Sequence, residues 1–370
     1  MSDLTKTMER ASTILDRTAS IVKADGIIVA STNPILVGEL NTEAARFFHG
    51  DQRFLTSERQ TFSKLTVDNV TEYVAVMDGS DHTAQTYLNL LSQWIIAELE
   101  DSAKEEDKKN FLKNILLENE LPGDIPLKSR EYRIPYAAGR ICYLVKLENE
   151  EDASIVLNVL ENLFPNKKLD YIFAIDEDAI VLLKDLPRDR QDKVDEVAES
   201  ILNTLSAEVM VRAHIGIGLP AETLKDTAKS YQEASLSVMV GHIFDPESKI
   251  MRYDKLGLGR LIYQLPPTLC HMFLDEVFPE GSYESLDAET LLTIDQFFEN
   301  NLNGSETSRQ LFVHRNTLVY RLDKAQKITG LDLRRFDDAV MFKLASMVRC
   351  YLEYQDKESL QIGGRKWWRK

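Results

Sequence analysis

The most restrictive pattern in this 370-residue chain is the way turn residues divide segment 287–330 into helices. Helical periodicity predicts a helix over 287–301, a short helix over 306–312 and a longer one over about 315–328 that Gly330 stops. The expected boundary residues are Asp287 and Ser305 as caps, with Asn303-Gly304 and Val313-His314 as turns. A short helix, a tight turn and a longer helix form the helix-turn-helix plan, whose second helix enters the major groove of DNA.

The period of the longer helix separates a core side from an outward side, at about 100° per residue. The residues expected to close a small core are Leu311, Val313, Leu318, Leu322, Ala325 and Ile328. The residues expected to face outward are Asn316, Tyr320, Asp323 and Lys327. Of these, Asn316 and Tyr320 lie in the N-terminal half of the helix, where base edges are normally read.

Eight side chains are predicted to contact DNA. Asn316 can form a bidentate contact with adenine, and the flank that carries Lys324 suits phosphates. Arg315 and Arg321 lie beside the core and could either touch phosphate or brace the fold. The helix start favours a phosphate near His314, which could equally be a cap or turn residue. The predicted DNA-binding residues are His314, Arg315, Asn316, Thr317, Tyr320, Arg321, Lys324 and Lys327.

Charge is distributed unevenly along the chain. The whole sequence carries 44 basic and 60 acidic residues, a formal net charge of −16, which argues against binding nucleic acid with the whole surface. Residues 305–335 instead hold seven basic and three acidic side chains, a net charge of +4. Positive charge is therefore concentrated where a groove-binding helix needs it. The alternative for this window is an ordinary three-helix bundle with a solvated charged face.

The sequence shows no sign of export or membrane insertion. The start MSDLTKTMERAS lacks the apolar stretch of a signal peptide, and no apolar run reaches the roughly 18 residues of a transmembrane helix. Cys142, Cys270 and Cys350 lie far apart, form no metal-binding spacing and suit a reducing cytosol as small hydrophobes. We therefore expect a cytoplasmic protein without a metal or cofactor.

The rest of the chain is predicted to mix helices and strands. In the N-terminal part we expect a helix over 3–22, strands at 27–30 and 73–81, and a long helix over 86–120. The fully polar middle of the long helix fits either a partner-pairing stalk or a surface helix. Further on, the order β-α-β-β-α-β-α-β predicts an antiparallel sheet with helices packed on it. Its strands are expected at 141–147, 171–184 (two), 211–219 and 249–256, and its helices at 153–164, 193–205 and 221–241, the last stopped by Gly241.

The C-terminal sequence closely resembles a known family. Within residues 311–345 the words HRNTL, YRL and TGLDL, followed by FDDA, are similar to the DNA-binding domain of the PucR and sugar-diacid-regulator (CdaR) family of bacterial transcription regulators. Two positions depart from the family pattern: Ser308 stands where alanine is usual, and Val319 is more apolar than the usual occupant.

Two upstream segments extend the resemblance. Residues 214–241, which contain HIGIG and SYQEA, resemble the family's middle domain, a degenerate relative of the GGDEF diguanylate cyclases. Residues 16–47 resemble its sugar-diacid recognition domain, a PAS-like sensor, and Gly38-Glu39-Leu40 and Ala44 match that domain's signature.

The resemblance implies an effector site in the N-terminal domain. A dicarboxylate needs cationic groups or several N–H donors, yet Leu36 stands where the signature has arginine and Asn41 where it has histidine. The effector is therefore open: a sugar diacid, a neutral or differently charged molecule, or none. The candidate effector-binding residues are Ser31, Thr32, Asn33, Gly38, Glu39, Asn41 and Arg46, each of which could instead be a solvated loop or turn residue.

The middle domain is not expected to be an enzyme. A cyclase needs carboxylates to hold Mg²⁺ and glycines that let the triphosphate approach. The hairpin AIDEDAI keeps Asp176, Glu177 and Asp178 but lacks a glycine pair, and hairpin turns collect acidic residues in any case. The alternatives are a nucleotide cyclase or nucleotide-binding switch, and a scaffold whose helix-turn-helix binds protein.

The chain is therefore expected to be an α+β multidomain transcription regulator that responds to a carbohydrate diacid or a related metabolite. We expect it to bind a double-stranded DNA operator as a homodimer or higher homo-oligomer, without membrane contact. The expected domains are a PAS-like sensor (1–100), a helical stalk (101–130), a degenerate GGDEF-like, ferredoxin-like α+β domain (131–255), a connector (256–285), an all-α PucR-type helix-turn-helix domain (286–355) and a basic tail (356–370).

Overall fold

The computed structural model describes residues 3–67, 69–186, 193–278 and 281–360. The chain divides into two compact units, 1–112 and 113–370. From residue 361 onward the predicted basic tail lies outside the described residues. Among the described residues, no helix is long and apolar enough to cross a membrane.

The first unit is built on a five-stranded antiparallel sheet. Its elements are α1 (Asp3–Ser12), β1 (Ala19–Val22), β2 (Ile28–Ser31), α2 (Thr42–His49), β3 (Phe54–Thr56), β4 (Gln60–Val67), β5 (Val70–Asp78) and α3 (His82–Leu116), with a 3-10 turn at Pro34–Leu36. The strands follow the order β2-β1-β5-β4-β3. The last residues of α3 belong to the second unit.

Helices cover both faces of this sheet. On one face, α1 and α3 pack through an apolar cluster that includes Met8, Ile21 and Leu88. On the other face, α2 packs through a second cluster that includes Phe47 and Phe62. The sheet is therefore buried on both sides, which removes the polar–apolar alternation that marks a half-exposed strand.

The predicted helix over 3–22 is wrong beyond Ser12. Residues 19–22 form β1, which pairs with both β2 and β5 and is buried along its whole length. A short apolar run buried on both faces cannot be told from a buried helix by periodicity alone. The sequence pattern also leaves α2, β3 and β4 unpredicted, because β4 places polar Thr61 and Ser63 at buried positions.

The second unit begins with an α+β sheet domain whose element order confirms the predicted β-α-β-β-α-β-α-β. Its elements are α4 (Ile125–Glu131), β6 (Arg140–Leu147), α5 (Ala153–Leu163), β7 (Tyr171–Asp176), β8 (Ala179–Asp185), α6 (Val194–Thr204), β9 (Ala213–Ile217), α7 (Thr227–Phe244) and β10 (Ile250–Arg252), with a π-helical turn at Leu205–Val209. The sheet order is β10-β9-β6-β8-β7, and only the β9–β10 pair is parallel.

Glycines allow α7 to lie close against the sheet. A Cβ added at Gly216 would lie 2.0 Å from the carbonyl oxygen of Ala234, which is on α7. Gly241 does not stop α7 as predicted, because the helix continues to Phe244. A Cβ at Gly241 would lie 2.2 Å from Cγ of Met251, so this glycine serves helix–strand packing instead.

We expect Gly216→Ala to lower the free energy of unfolding of the second unit by about 1–3 kcal/mol, because α7 or β9 must shift to admit the methyl group. Gly139→Ala is the control, since its Cβ would meet no atom closer than 3.5 Å. Denaturation followed by circular dichroism measures both variants. Equal stabilities would contradict this packing.

The remaining helices carry the C-terminal part of the second unit. They are α8 (Leu258–Tyr263), α9 (Pro267–Val277), α10 (Ala288–Glu299), α11 (Gly304–Gln310), α12 (Arg315–Thr329) and α13 (Phe336–Leu360). One apolar cluster joins α10, α12 and the first half of α13 through Ile294, Leu318 and Phe342. A second cluster joins the later part of α13 to α7, α8 and α9. Because α13 takes part in both clusters, it ties the three-helix bundle to the sheet domain.

Candidate nucleic-acid interface

Local capping fixes the boundaries of α11 and α12. The side chain of Asn303 accepts hydrogen bonds from the backbone N–H groups of Ser305 and Glu306, at 3.1 and 3.2 Å. Asn303 therefore caps α11 in place of the predicted Ser305, because the helix starts a residue or two earlier than predicted. His314 is the N-cap of α12 and accepts a hydrogen bond from the N–H of Asn316 at 3.2 Å through Nδ1. Gly330, at φ +79°, ends the helix as predicted.

The core side of α12 is buried and most of its outward side is exposed, as predicted, although Asp323 is half-buried. The predicted core residues Leu311 and Val313, which precede α12, are only half-buried and lie outside the apolar cluster of α10, α12 and α13. Leu318, Leu322 and Ala325 are buried in the bundle cluster. The exposed residues of α12 are Arg315, Asn316, Val319, Tyr320 and Lys327. Tyr320 keeps 68% of its surface exposed. Arg315 and Val319 are exposed although neither was among the residues predicted to face outward.

On one flank, two cations of α12 are bound to carboxylates at the start of α10. Lys324 forms an ion pair with Asp287. Arg321 pairs with Glu289 and also donates a hydrogen bond to Oγ1 of Thr293 at 3.1 Å. Of the two roles predicted for Arg321, the structure places it in bracing contacts within the fold.

On the opposite flank, an arginine neutralises the acidic residue of the outward side. Arg334 contacts the carboxylates of Asp323 at 2.8 Å and Asp332 at 2.6 Å, and donates to Gln326 at 2.9 Å. Asp323 would otherwise repel phosphate from the side that faces outward. Its pairing reduces the negative charge on the exposed face of α12, with the single guanidinium of Arg334 shared between two carboxylates.

Two of the four cations of α12 remain available. Within the described part of the chain, no carboxylate forms an ion pair with Arg315 or Lys327. Both side chains are exposed. They can meet a phosphate without breaking an existing ion pair.

Asp287 has a double role, as N-cap and as partner of Lys324. Its carboxylate accepts a hydrogen bond from the N–H of Thr290 at 2.8 Å. The hydrogen bond from Lys324 is the main cause that holds the pKa of Asp287 well below its ordinary value. The same hydrogen bond raises the pKa of Lys324. The pair is therefore fully ionised at neutral pH.

We expect Asp287→Asn to keep the cap, because asparagine caps as well as aspartate, but to lose the ion pair. The folded-state pKa of Asp287 is depressed, so its stabilising contribution is complete above the ordinary carboxyl value of 3.8 and is lost as pH falls further. Hydrogen exchange of the first turn of α10 should therefore be slower in the wild type than in the variant at pH ~7, and the difference should shrink below pH ~3. A difference that does not change with pH would contradict this assignment.

The predicted effector residues lie in the first unit, where most of them hold local structure. The buried hydroxyl of Ser31 donates to the carbonyl of Ala19 at 3.0 Å, and Thr32 accepts from the N–H of Ala19 at 2.9 Å. Asn33 caps the 3-10 turn and Asn41 caps α2. Gly38 has φ +90°, and Glu39 is exposed.

Arg46 is the exception, because it lines an open cleft of about 390 Å³ between α2 and the β3–β4 hairpin. The cleft is lined by Glu43, Arg46, Phe47, Gly50, Asp51, Gln52, Leu55, Ser57 and Phe62. Its apolar wall includes Phe47 and Phe62, whose rings lie 5.7 Å apart. The sequence pattern missed Leu55, Ser57 and Phe62, because the β3–β4 hairpin that carries them was not predicted.

The acidic hairpin of the sheet domain engages local partners. The N–H of Glu177 donates to Asp176 at 2.8 Å, and Asp178 pairs with Lys146 at 2.5 Å. In the part of the chain that the structure describes, no group of three or more His, Cys, Asp or Glu residues is placed to hold a metal ion.

Comparisons with known proteins agree with this arrangement. Residues 290–348 match the PucR C-terminal helix-turn-helix domain, and residues 118–239 match the GGDEF-like domain. α10 to α13 are thus a DNA-binding helix-turn-helix domain attached to a GGDEF-like domain.

Curated relatives point to the same class. The chain is 24% identical over 359 residues to the purine catabolism regulatory protein of Bacillus subtilis (strain 168), covering 90% of this chain and 67% of that protein. It is 31% identical over 149 residues to the carbohydrate diacid regulator of Escherichia coli (strain K12), covering 40% and 38% of the two chains. It is 26% identical over 188 residues to the proline-responsive transcriptional activator PutR of Bacillus subtilis (strain 168), covering 48% and 45%.

The chain thus contains a PucR-type C-terminal helix-turn-helix domain and a GGDEF-like domain, and it is similar to curated transcription regulators. These matches confirm the family resemblance and the class of function that the sequence predicts.

Proposed function

We propose that this protein reads a DNA operator in the major groove through α12. The observation that carries the proposal is the exposed N-terminal half of α12, where Asn316 and Tyr320 lie beside Arg315. Among the described residues, no carboxylate forms an ion pair with Arg315. Base edges are read from this half of a recognition helix. Asn316 would contact adenine and Tyr320 a neighbouring base.

The phosphate contacts divide into two groups. Arg315 and Lys327, with Thr317 and His314, would meet the backbone directly, since no ion pair has to be broken. Arg321 and Lys324 reach a phosphate only by leaving Glu289 and Asp287. These two residues would therefore contribute less to affinity than their charges suggest.

We expect Asn316→Ala to weaken operator binding by about 1–3 kcal/mol and to leave binding to random DNA unchanged, because Asn316 carries sequence information. Lys327→Ala should instead weaken both and lower the slope of log K against log salt by about one. Fluorescence anisotropy over a salt series measures both variants. Unchanged discrimination in Asn316→Ala would contradict the assigned reading role.

We propose a homodimer, because a two-fold symmetric operator has two half-sites about 34 Å apart, one for the reading helix of each subunit. An effector would act by shifting the population of dimer arrangements and so the spacing of the two α12 helices.

We place the protein in the cytoplasm, where its DNA lies. The acidic hairpin between β7 and β8 is assigned no catalytic part.

The N-terminal domain is proposed to be the PAS-like sensor. The antiparallel order β2-β1-β5-β4-β3, with α2 on one face, supports this assignment. We propose the same domain boundaries as those expected from the sequence.

The effector is proposed to bind in the cleft beside α2. The apolar wall of Phe47 and Phe62 suits a hydrocarbon or ring surface, and Arg46 suits an anionic group. Leu36, which replaces the signature arginine, packs against the α2 cluster and offers no charge. The relatives' names refer to purines, carbohydrate diacids and proline, so they favour no single effector.

A thermal-shift screen of small metabolic carboxylates tests this cleft. We expect at least one to raise the melting temperature of the wild type, since a ligand that binds only the folded form stabilises it. Arg46→Gln should abolish that shift. Arg53→Gln, which does not line the cleft, is the control and should keep it. Equal shifts in both variants would place the effector elsewhere.

A further inference from the structure

We propose that Val319 recognises the 5-methyl group of a thymine in each operator half-site. The inference rests on the proposed function, because it assumes that α12 lies in the major groove. Val319 would be a specificity determinant whose side chain carries no hydrogen-bonding group.

Val319 lies within the reading surface of α12. Arg315, Asn316, Val319 and Tyr320 are all exposed and follow the spacing i, i+1, i+4, i+5, which forms one continuous patch at the start of a helix. Val319 is about 60° from Asn316 around the helix axis, at roughly 100° per residue. A base pair contacted by Asn316 therefore has neighbours within reach of Val319.

Val319 is not part of the protein core. It belongs to neither apolar cluster of the C-terminal helices and keeps 38% of its surface exposed. Its isopropyl group can neither donate nor accept a hydrogen bond, so guanine, cytosine and adenine edges would lose water without compensation beside it. The thymine methyl is the apolar group of the major groove, and burying it against Val319 is favourable for the free energy of binding.

The charges around Val319 permit this approach. Arg315, one turn earlier, can contact a phosphate and so position the helix in the groove. Asp323, one turn later, is paired with Arg334 at 2.8 Å, which weakens its repulsion of the DNA. The patch thus combines an anchoring cation with an apolar contact.

The test uses the full chain and operators selected by it from a randomised duplex pool. Each thymine of the selected half-site is replaced in turn by deoxyuridine, which removes only the 5-methyl group. At one position per half-site we expect the wild type to lose about fourfold in affinity, the factor that corresponds to ~0.8 kcal/mol for one buried methyl group. Val319→Ala should bind the thymine operator about as weakly as the wild type binds the deoxyuridine operator, and should not distinguish the two.

Leu292→Ala, at an apolar position on α10 that is 54% exposed, is the matched control and should keep the thymine preference. Unchanged circular dichroism and unchanged affinity for the deoxyuridine operator show that Val319→Ala is folded. The inference is overturned if no thymine is sensitive, or if the sensitivity persists in Val319→Ala. If selection yields no sequence bound better than random DNA, the proposed sequence-specific DNA binding fails too. A selected operator without a Val319-dependent thymine overturns the Val319 inference alone.

Discussion

The apolar seam along α12 determines what the rest of the C-terminal domain can present to DNA. Leu318, Leu322 and Ala325 are buried with residues of α10 and α13, and this fixes the rotation of α12 about its own axis. Because side chains on a helix are separated by about 100°, fixing the core side also fixes the outward side. Asn316 and Tyr320 face outward as a consequence of where these apolar residues lie.

Ion pairs then adjust the charge of that outward side. α10 supplies carboxylates to one flank of α12, and Arg334 neutralises Asp323 on the other. Of the basic residues that the sequence concentrates here, several are thus already partnered within the fold. The chain is acidic, with a net charge of −16, and this arrangement limits its positive surface here to a few exposed cations. It therefore disfavours non-specific binding to DNA.

The helix-turn-helix was predictable from sequence because its signals are local. Caps, a turn, a stop glycine and helical periodicity all act within a few residues of one another, and Asp287 and Gly330 are used as predicted. The partners of Arg321 and Lys324 were not predictable, since they lie at α10, 28 to 37 residues away along the chain. The exposure of Val319 likewise depends on how the bundle closes around its neighbours.

The first unit was harder to predict for a related reason. β1 is buried on both faces, so its apolar run resembled a helix continued from α1. β4 carries buried Thr61 and Ser63, so its polar composition concealed a strand. The cleft near Arg46 is lined partly by β3 and β4, and of its lining only Arg46 was among the residues expected to bind an effector.

Site-specific crosslinking tests most directly the central claim that α12 lies in the major groove. A photoreactive benzoylphenylalanine would replace Tyr320 in one variant and Met272 in another, since Met272 is an exposed residue of α9. On an operator-bound complex, we expect a crosslink to bases from position 320 and none from position 272. A complex that binds the operator but forms no crosslink from position 320 would contradict it.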